Sequence, residues 1–154
     1  MADAPRLITL TIDGKQVSVP AGTTLWDAAR LAGIDIPVLC HNPRLRPVGV
    51  CRMCVVDVGE RVLAASCVRQ CSQGQTVKTD SDKVRSHRRV LTQLLLSDYP
   101  RLSVRQAATG QDELLQLAEA LDIDRQPFPD GTGPAAARGS DTSSPVIAVD
   151  HQAC

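Results

Sequence analysis

Aromatic side chains are almost missing from these 154 residues: Trp26, Tyr99 and Phe128 are the whole set. A core made without them is aliphatic and buries less area per residue, so a bound group would help to fix it. Excess charge is missing too. Seventeen basic side chains balance seventeen acidic ones, with no long run of either sign. That removes the electrostatic footprint of a nucleic-acid binder and of a polybasic membrane anchor. No apolar run is long enough to span a bilayer, so no direct membrane insertion is expected. The opening MADAPRLITLTIDG lacks the charged start and unbroken apolar stretch of a signal peptide, and the sequence reads as cytoplasmic. There is also no glycine-rich phosphate loop after a strand and no acid–base constellation. Nicotinamide, flavin and molybdopterin sites are therefore not expected, and neither is a substrate-converting centre.

Cysteine is what the chain does have. Six of them without an export signal argue for thiolate ligation rather than a disulfide framework. Four fall in CHNPRLRPVGVCRMCVVDVGERVLAASC, from Cys40 to Cys67, in the pattern C-x10-C-x2-C-x12-C. Cys51 and Cys54 form the close pair, and Cys40 and Cys67 stand alone on either side. Structural zinc also takes four thiolates, but its common sequence form is two close C-x2-C pairs. One close pair plus two isolated cysteines suits a [2Fe-2S] cluster gripped by a loop and a hairpin. Gly49 lets backbone approach a bulky inorganic centre, and Arg52 offsets the charge of the thiolates.

The flanking residues supply the frame. Leu7 to Ile12 and Gln16 to Val19 read as strands joined by an Asp13-Gly14 hairpin turn. Thr24 and Asp27 start a helix from Leu25 to Leu31, closed at Gly33, with Leu25, Ala28, Ala29 and Ala32 on one face. Val55 to Val58 and Arg61 to Ala65 form a second hairpin, and Thr76 to Thr79 a last strand. Hairpin, helix, metal loop and hairpin make an α+β fold, a β-grasp ferredoxin domain over residues 1–80. A small helical appendage follows over 81–124, then a linker and C-terminal tail over 125–154. The appendage holds a helix from Asp80 or Ser81 through Leu96, with Val84, Leu91, Leu94 and Leu95 inward and Arg85, Arg88 and Arg89 outward. His87 reads as solvated. A short amphipathic helix spans 112–121, and the Pro-, Gly- and Ser-rich stretch 125–144 is an irregular linker.

IDIPVLCHNP at 34–43, VGVCRMCVV at 48–56 and ASC at 65–67 resemble the N-terminal [2Fe-2S] region of the large iron-sulfur subunit of respiratory complex I. The same region occurs in NAD-linked hydrogenase diaphorases and formate dehydrogenases. The resemblance implies that Cys40, Cys51, Cys54 and Cys67 hold one [2Fe-2S] cluster. Cys71, four residues past Cys67, is a second candidate for the fourth ligand from spacing alone; the resemblance assigns Cys67 and leaves Cys71 a free thiol. It also implies an electron-transfer role within a multi-subunit NAD-linked oxidoreductase, beside a flavin/NADH-binding subunit and a catalytic or further iron-sulfur subunit. A freestanding ferredoxin and a zinc-stabilised interaction module are the competing readings.

The resembled family continues with His-x3-Cys-x2-Cys-x5-Cys, which holds a [4Fe-4S] cluster. Laid on this chain without a gap, those places fall on Tyr99, Ser103, Gln106 and Asp112, while Pro100, Gly110 and Leu114 still agree. Serine and glutamine are poor substitutes for thiolate, so the expectation is a scaffold without a [4Fe-4S] cluster. Alternatively the alignment is accidental and the helix is only a docking element. SSPVIAVDHQAC resembles the segment that introduces a further two-cluster module, with Cys154 at its first ligand, but no second C-x2-C follows.

Overall fold

A computed structural model describes residues 6–97, 99, 109–124 and 140–150, with Asp150 by its backbone alone. Strand β1 (Leu7–Ile12) turns at Asp13 and Gly14 into antiparallel β2 (Lys15–Pro20). Both turn residues have positive φ, 47° and 81°, as a two-residue hairpin that follows the strand twist requires. Leu10, Ile12 and Val19 point into the core. On its other edge β1 pairs in parallel with the strand Thr76–Val77, here β5, giving a mixed sheet of order β2-β1-β5. The Asp13 carboxylate accepts from the Thr79 amide (2.8 Å) and hydroxyl (2.5 Å), pinning the turn to the end of β5.

Helix α1 (Leu25–Leu31) begins as its sequence indicates, the Thr24 hydroxyl accepting from the Asp27 amide at 3.1 Å. It buries Leu25, Ala28 and Ala29 against the sheet. Ala32, expected inward, is the half-exposed C-cap, and Trp26 takes the inward place instead. Trp26 is held inside by its indole hydrogen bond to Ile36 O.

The second hairpin is shorter than its sequence suggests. Strands β3 (Val55–Val56) and β4 (Ala64–Ala65) pair antiparallel over two residues each. Asp57 leaves that ladder and exchanges both backbone hydrogen bonds with Lys78, at 2.8 and 2.9 Å. One exchange shortens both β3 and β5, because a backbone N–H and C=O given to one neighbour are not available to another.

Chain contacts divide the molecule into two units, Met1–Arg88 and Arg89–Cys154, the division falling within helix α2 (Asp82–Ser97). The inner face of α2 also differs from expectation. Val84, Arg88, Thr92 and Leu96 are buried, whereas Leu94 and Leu95 are 56% and 42% exposed. Spacing by four selects these positions, and Arg88 is tolerated inside because its guanidinium finds two backbone carbonyls. Arg85 and Arg89 do lie outward. In the second unit, α3 (Glu113–Ala120) is capped by Asp112, whose carboxylate accepts from the Leu115 amide at 3.1 Å. Leu96, Ala118 and Ile123 form that unit's small core. Ser140–Asp141 (β6) pairs with Val149–Asp150 (β7), so the end of the expected linker is a strand. Its residues 125–139, and Cys154, lie outside the described residues. Among the described residues no helix is long and apolar enough to cross a membrane.

Candidate metal centre

The N-terminus of α1 organises the segment that carries Cys67. Leu25 N–H donates to Arg69 O (2.8 Å), Trp26 N–H to Ser66 O (3.1 Å) and Cys71 N–H to Thr23 O (2.9 Å). From the same helix, the Trp26 indole donates to Ile36 O at 3.1 Å, and the ring meets His41 edge-on with centroids 4.7 Å apart. Trp26 thus anchors the stretch that leads to Cys40.

Between Cys40 and Cys51 the chain makes an open loop. The Asn42 carboxamide oxygen accepts from the Arg44 amide at 2.9 Å, an Asx turn that starts it. Gly49 sits at φ 67°, and a Cβ there would stand 3.3 Å from both Val68 methyl carbons. The missing Cβ thus leaves room for Val68, the residue after Cys67. Arg52 has φ 58°, and its guanidinium donates to Leu63 O at 2.9 Å, bracing the second hairpin.

Backbone carbonyls around Cys54 are held one after another. Arg88 donates through Nε to Met53 O (3.1 Å) and through Nη2 to Val55 O (2.9 Å). Ser66 donates to Cys54 O through both its hydroxyl (2.7 Å) and its amide (3.2 Å). Neither Arg88 nor Ser66 stands out in the sequence. The one available sign was that Arg88 lies four residues after Val84 and four before Thr92.

These elements bring the four motif thiols to one end of the first unit as two pairs. Cys54 and Cys67 are buried with their sulfurs 3.3 Å apart, and all four are free thiols. Cys40 and Cys51 are half-buried, and Cys40 Sγ accepts from the Cys51 amide at 3.5 Å. Among the described residues no three histidine, cysteine, aspartate or glutamate side chains converge on the place of a single ion. Cys71 is also buried, but it packs within the apolar core beside α1.

The environment separates the thiols electrostatically. Burial, the hydrogen bond with Cys54 and the negative charges of Cys54, Cys40 and Cys51 push the Cys67 thiol up to about 12. Burial also pushes Cys51 up, but hydrogen bonds from the Met53 backbone, the Cys40 side chain and the Leu39 and Cys40 backbone outweigh it and leave Cys51 below its ordinary value. In Cys71, burial and the charge of Asp27 raise the thiol. His87, expected to be solvated, is half-buried; burial and the charges of Arg52 and Arg88 favour its neutral form.

A pH dependence follows for the metal-free protein. A thiol that ionises at 9.0 when unfolded and at about 12 when folded makes the folded state bind more protons in between. Its contribution to stability is complete below the lower value and is lost as pH rises toward the upper one. Urea titrations of the apoprotein at about pH 8, 10 and 11 should give falling midpoints, and Cys67→Ala should flatten that fall.

Of the four places where the resembled family carries [4Fe-4S] ligands, Tyr99 and Asp112 are joined, the phenol donating to the carboxylate. Ser103 and Gln106 lie outside the described residues.

Residues 5–82 match the family described as 2Fe-2S iron-sulfur cluster binding domain. The NADP-reducing hydrogenase subunit HndD of Solidesulfovibrio fructosivorans is 42% identical over 132 residues, covering 81% of this chain and 22% of that protein. The mitochondrial NADH-ubiquinone oxidoreductase 78 kDa subunit of Candida albicans is 33% identical over 149 residues, 96% of this chain and 20% of its own length. The chain thus spans about a fifth of the length of these curated relatives. A crystal structure of an NAD+-reducing [NiFe]-hydrogenase in the H2-reduced state superposes with a TM-score of 0.77 at 31% identity, over 96% of this chain and 61% of that one. With residues 5–82 matched, Cys40, Cys51, Cys54, Cys67 and Cys71 among them, and its likeness to oxidoreductase subunits continuing beyond that stretch, the chain belongs to the 2Fe-2S iron-sulfur cluster binding domain family.

Proposed function

We propose that this chain is a β-grasp ferredoxin module whose Cys40, Cys51, Cys54 and Cys67 hold one [2Fe-2S] cluster, and that it carries electrons one at a time inside a larger NAD-linked oxidoreductase. The observation that supports the reading is the gathering of the four cysteines as two close pairs, Cys54 and Cys67 with sulfurs 3.3 Å apart and Cys40 Sγ against the Cys51 amide at 3.5 Å. A dinuclear centre takes two thiolates on each metal, whereas a structural zinc needs all four around one point. Cys40 and Cys51 fit one metal of such a centre, and Cys54 and Cys67 the other. When bound, the group supplies a site that accepts and returns a single electron. The protein's own part is to present deprotonated sulfurs, hold the carbonyls on both sides of Cys54 and exclude water from the buried pair. Loading has to displace the proton that burial keeps on Cys67, so uptake releases protons.

Partners are proposed from the relatives: a flavin- and NADH-binding subunit as one neighbour, and a catalytic or further iron-sulfur subunit as the other. Their names describe NADP-, NADH- and NAD+-linked enzymes. A cytoplasmic location, at most peripheral to a membrane, fits such an assembly. The second unit is proposed to lack a [4Fe-4S] cluster, supported by the Tyr99–Asp112 hydrogen bond, which occupies two would-be ligand places with each other.

Anaerobic reconstitution with iron and sulfide tests the whole reading. The expected product is coloured, holds about two irons and two sulfides per chain, and gives a paramagnetic signal on one-electron reduction. About six irons per chain would overturn the proposal for the second unit. A colourless protein that takes one zinc would overturn the electron-carrying role.

A further inference from the structure

Arg88 is the least expected residue in the first unit, an arginine only 6% exposed on a helix that has exposed positions to spare. A buried arginine is retained at a desolvation cost that has to be offset locally. Here the offset is specific. Its Nε and Nη2 reach the carbonyls of Met53 and Val55, the residues immediately before and after Cys54, in a fork that spans the ligand loop. No carboxylate pairs with it directly among the described residues; Arg85 takes Asp80 and Asp82. Burial disfavours its charge, while Asp80, the Cys54 thiolate, Asp13 and Asp35 favour it. The fork thus places this cation directly behind the backbone of Cys54.

We propose that Arg88 is a positioning residue with an electrostatic role. It fixes the backbone on both sides of Cys54, and its buried positive charge favours the reduced, more negative state of the metal centre. The inference rests on the two-iron reading above. Two consequences separate by substitution. Arg88→Lys keeps the charge but cannot bridge two carbonyls with a planar fork. Arg88→Gln removes the charge and keeps polar hydrogen-bonding groups.

Redox titration followed by the reduced-state paramagnetic signal is the decisive experiment, accompanied by amide hydrogen exchange of the apoprotein over residues 51–56. Arg88→Gln should disfavour reduction by about tenfold or more, a potential about 59 mV lower for one electron, while Arg88→Lys stays close to wild type. Both variants should exchange the 51–56 amides faster than wild type. An unchanged potential in Arg88→Gln, or an equal shift in Arg88→Lys, would overturn the electrostatic role, and unchanged exchange would overturn the positioning role. If Arg88→Gln takes no iron, loading of Arg88→Lys at wild-type potential supports the charge. If neither loads, Val84→Ala decides: it loosens the same helix and leaves the guanidinium in place. Loading by Val84→Ala supports Arg88 as the positioning group, and failure to load would overturn it. A wild-type protein that takes no iron is a different outcome, which removes the two-iron reading itself.

Discussion

Cys54→Ser should abolish visible absorbance and the reduced-state signal of reconstituted protein, and Cys71→Ser should leave both intact. Cys54 is 1% exposed, faces Cys67 at 3.3 Å, and has the carbonyls on its own residue and both neighbours tied down. A serine there presents a hard oxygen whose proton is lost far less readily than that of a thiol. Removing a direct ligand should therefore exceed the ~10–100-fold loss of metal retention typical of changes one shell out. Cys71 is buried too, in the same apolar cluster as Cys54 and Cys67, but the charge that acts on it is that of Asp27 and not that of a motif thiol. Placing a hydroxyl there should cost about 1–3 kcal/mol of stability without bleaching the protein. Cys67→Ser belongs with Cys54→Ser. Bleaching by Cys71→Ser with colour kept in Cys67→Ser would transfer the fourth ligand to Cys71.

Residues whose role depends on local spacing were legible from the sequence. The hairpin at Asp13-Gly14 and the Thr24 cap sit where turn and capping chemistry puts them, while Asp112, read as the first residue of its helix, is the residue that caps it. The cysteine pattern likewise named the thiols that the fold gathers. What was hidden depends on long-range partners. The lengths of β3 and β5 were set by a single exchange between Asp57 and Lys78, which no periodicity within either segment reveals. Arg88 was read outward because charge is ordinarily solvated, and only the carbonyls of Met53 and Val55, more than thirty residues earlier, make its inward place affordable. The packing of Val68 against Gly49, where a Cβ would stand 3.3 Å from both methyl carbons, was equally hidden. In each case a partner far away in sequence decided how the residue is used.

Trp26→Ala should be the most destabilising core substitution in the first unit, at about 3–5 kcal/mol for the metal-free protein. That is a large share of the ~5–15 kcal/mol that holds a typical domain together. Three interactions disappear at once: the packing of a 6% exposed ring, the indole hydrogen bond to Ile36 O and the edge-on contact with His41. Arg30, whose guanidinium carbon lies 4.7 Å from the ring centroid, loses its platform as well. Ile36 and His41 bracket the approach to Cys40, so the substitution should reach the candidate metal centre through that segment. Trp26→Phe keeps most of the ring and loses mainly the donor, which should cost about 1 kcal/mol plus the lost packing. Metal binding is linked to folding, so the loaded protein should hide much of the loss in a melting experiment. Urea unfolding of the apoprotein measures the energy, and the rate at which loaded protein releases iron to a chelator measures the effect on the loop. The expected order is Ala fastest, then Phe, then wild type. Apoprotein stability within about 1 kcal/mol of wild type for Trp26→Ala, with unchanged iron release, would mean that Cys40 is held by the loop alone and that the tryptophan only fills space.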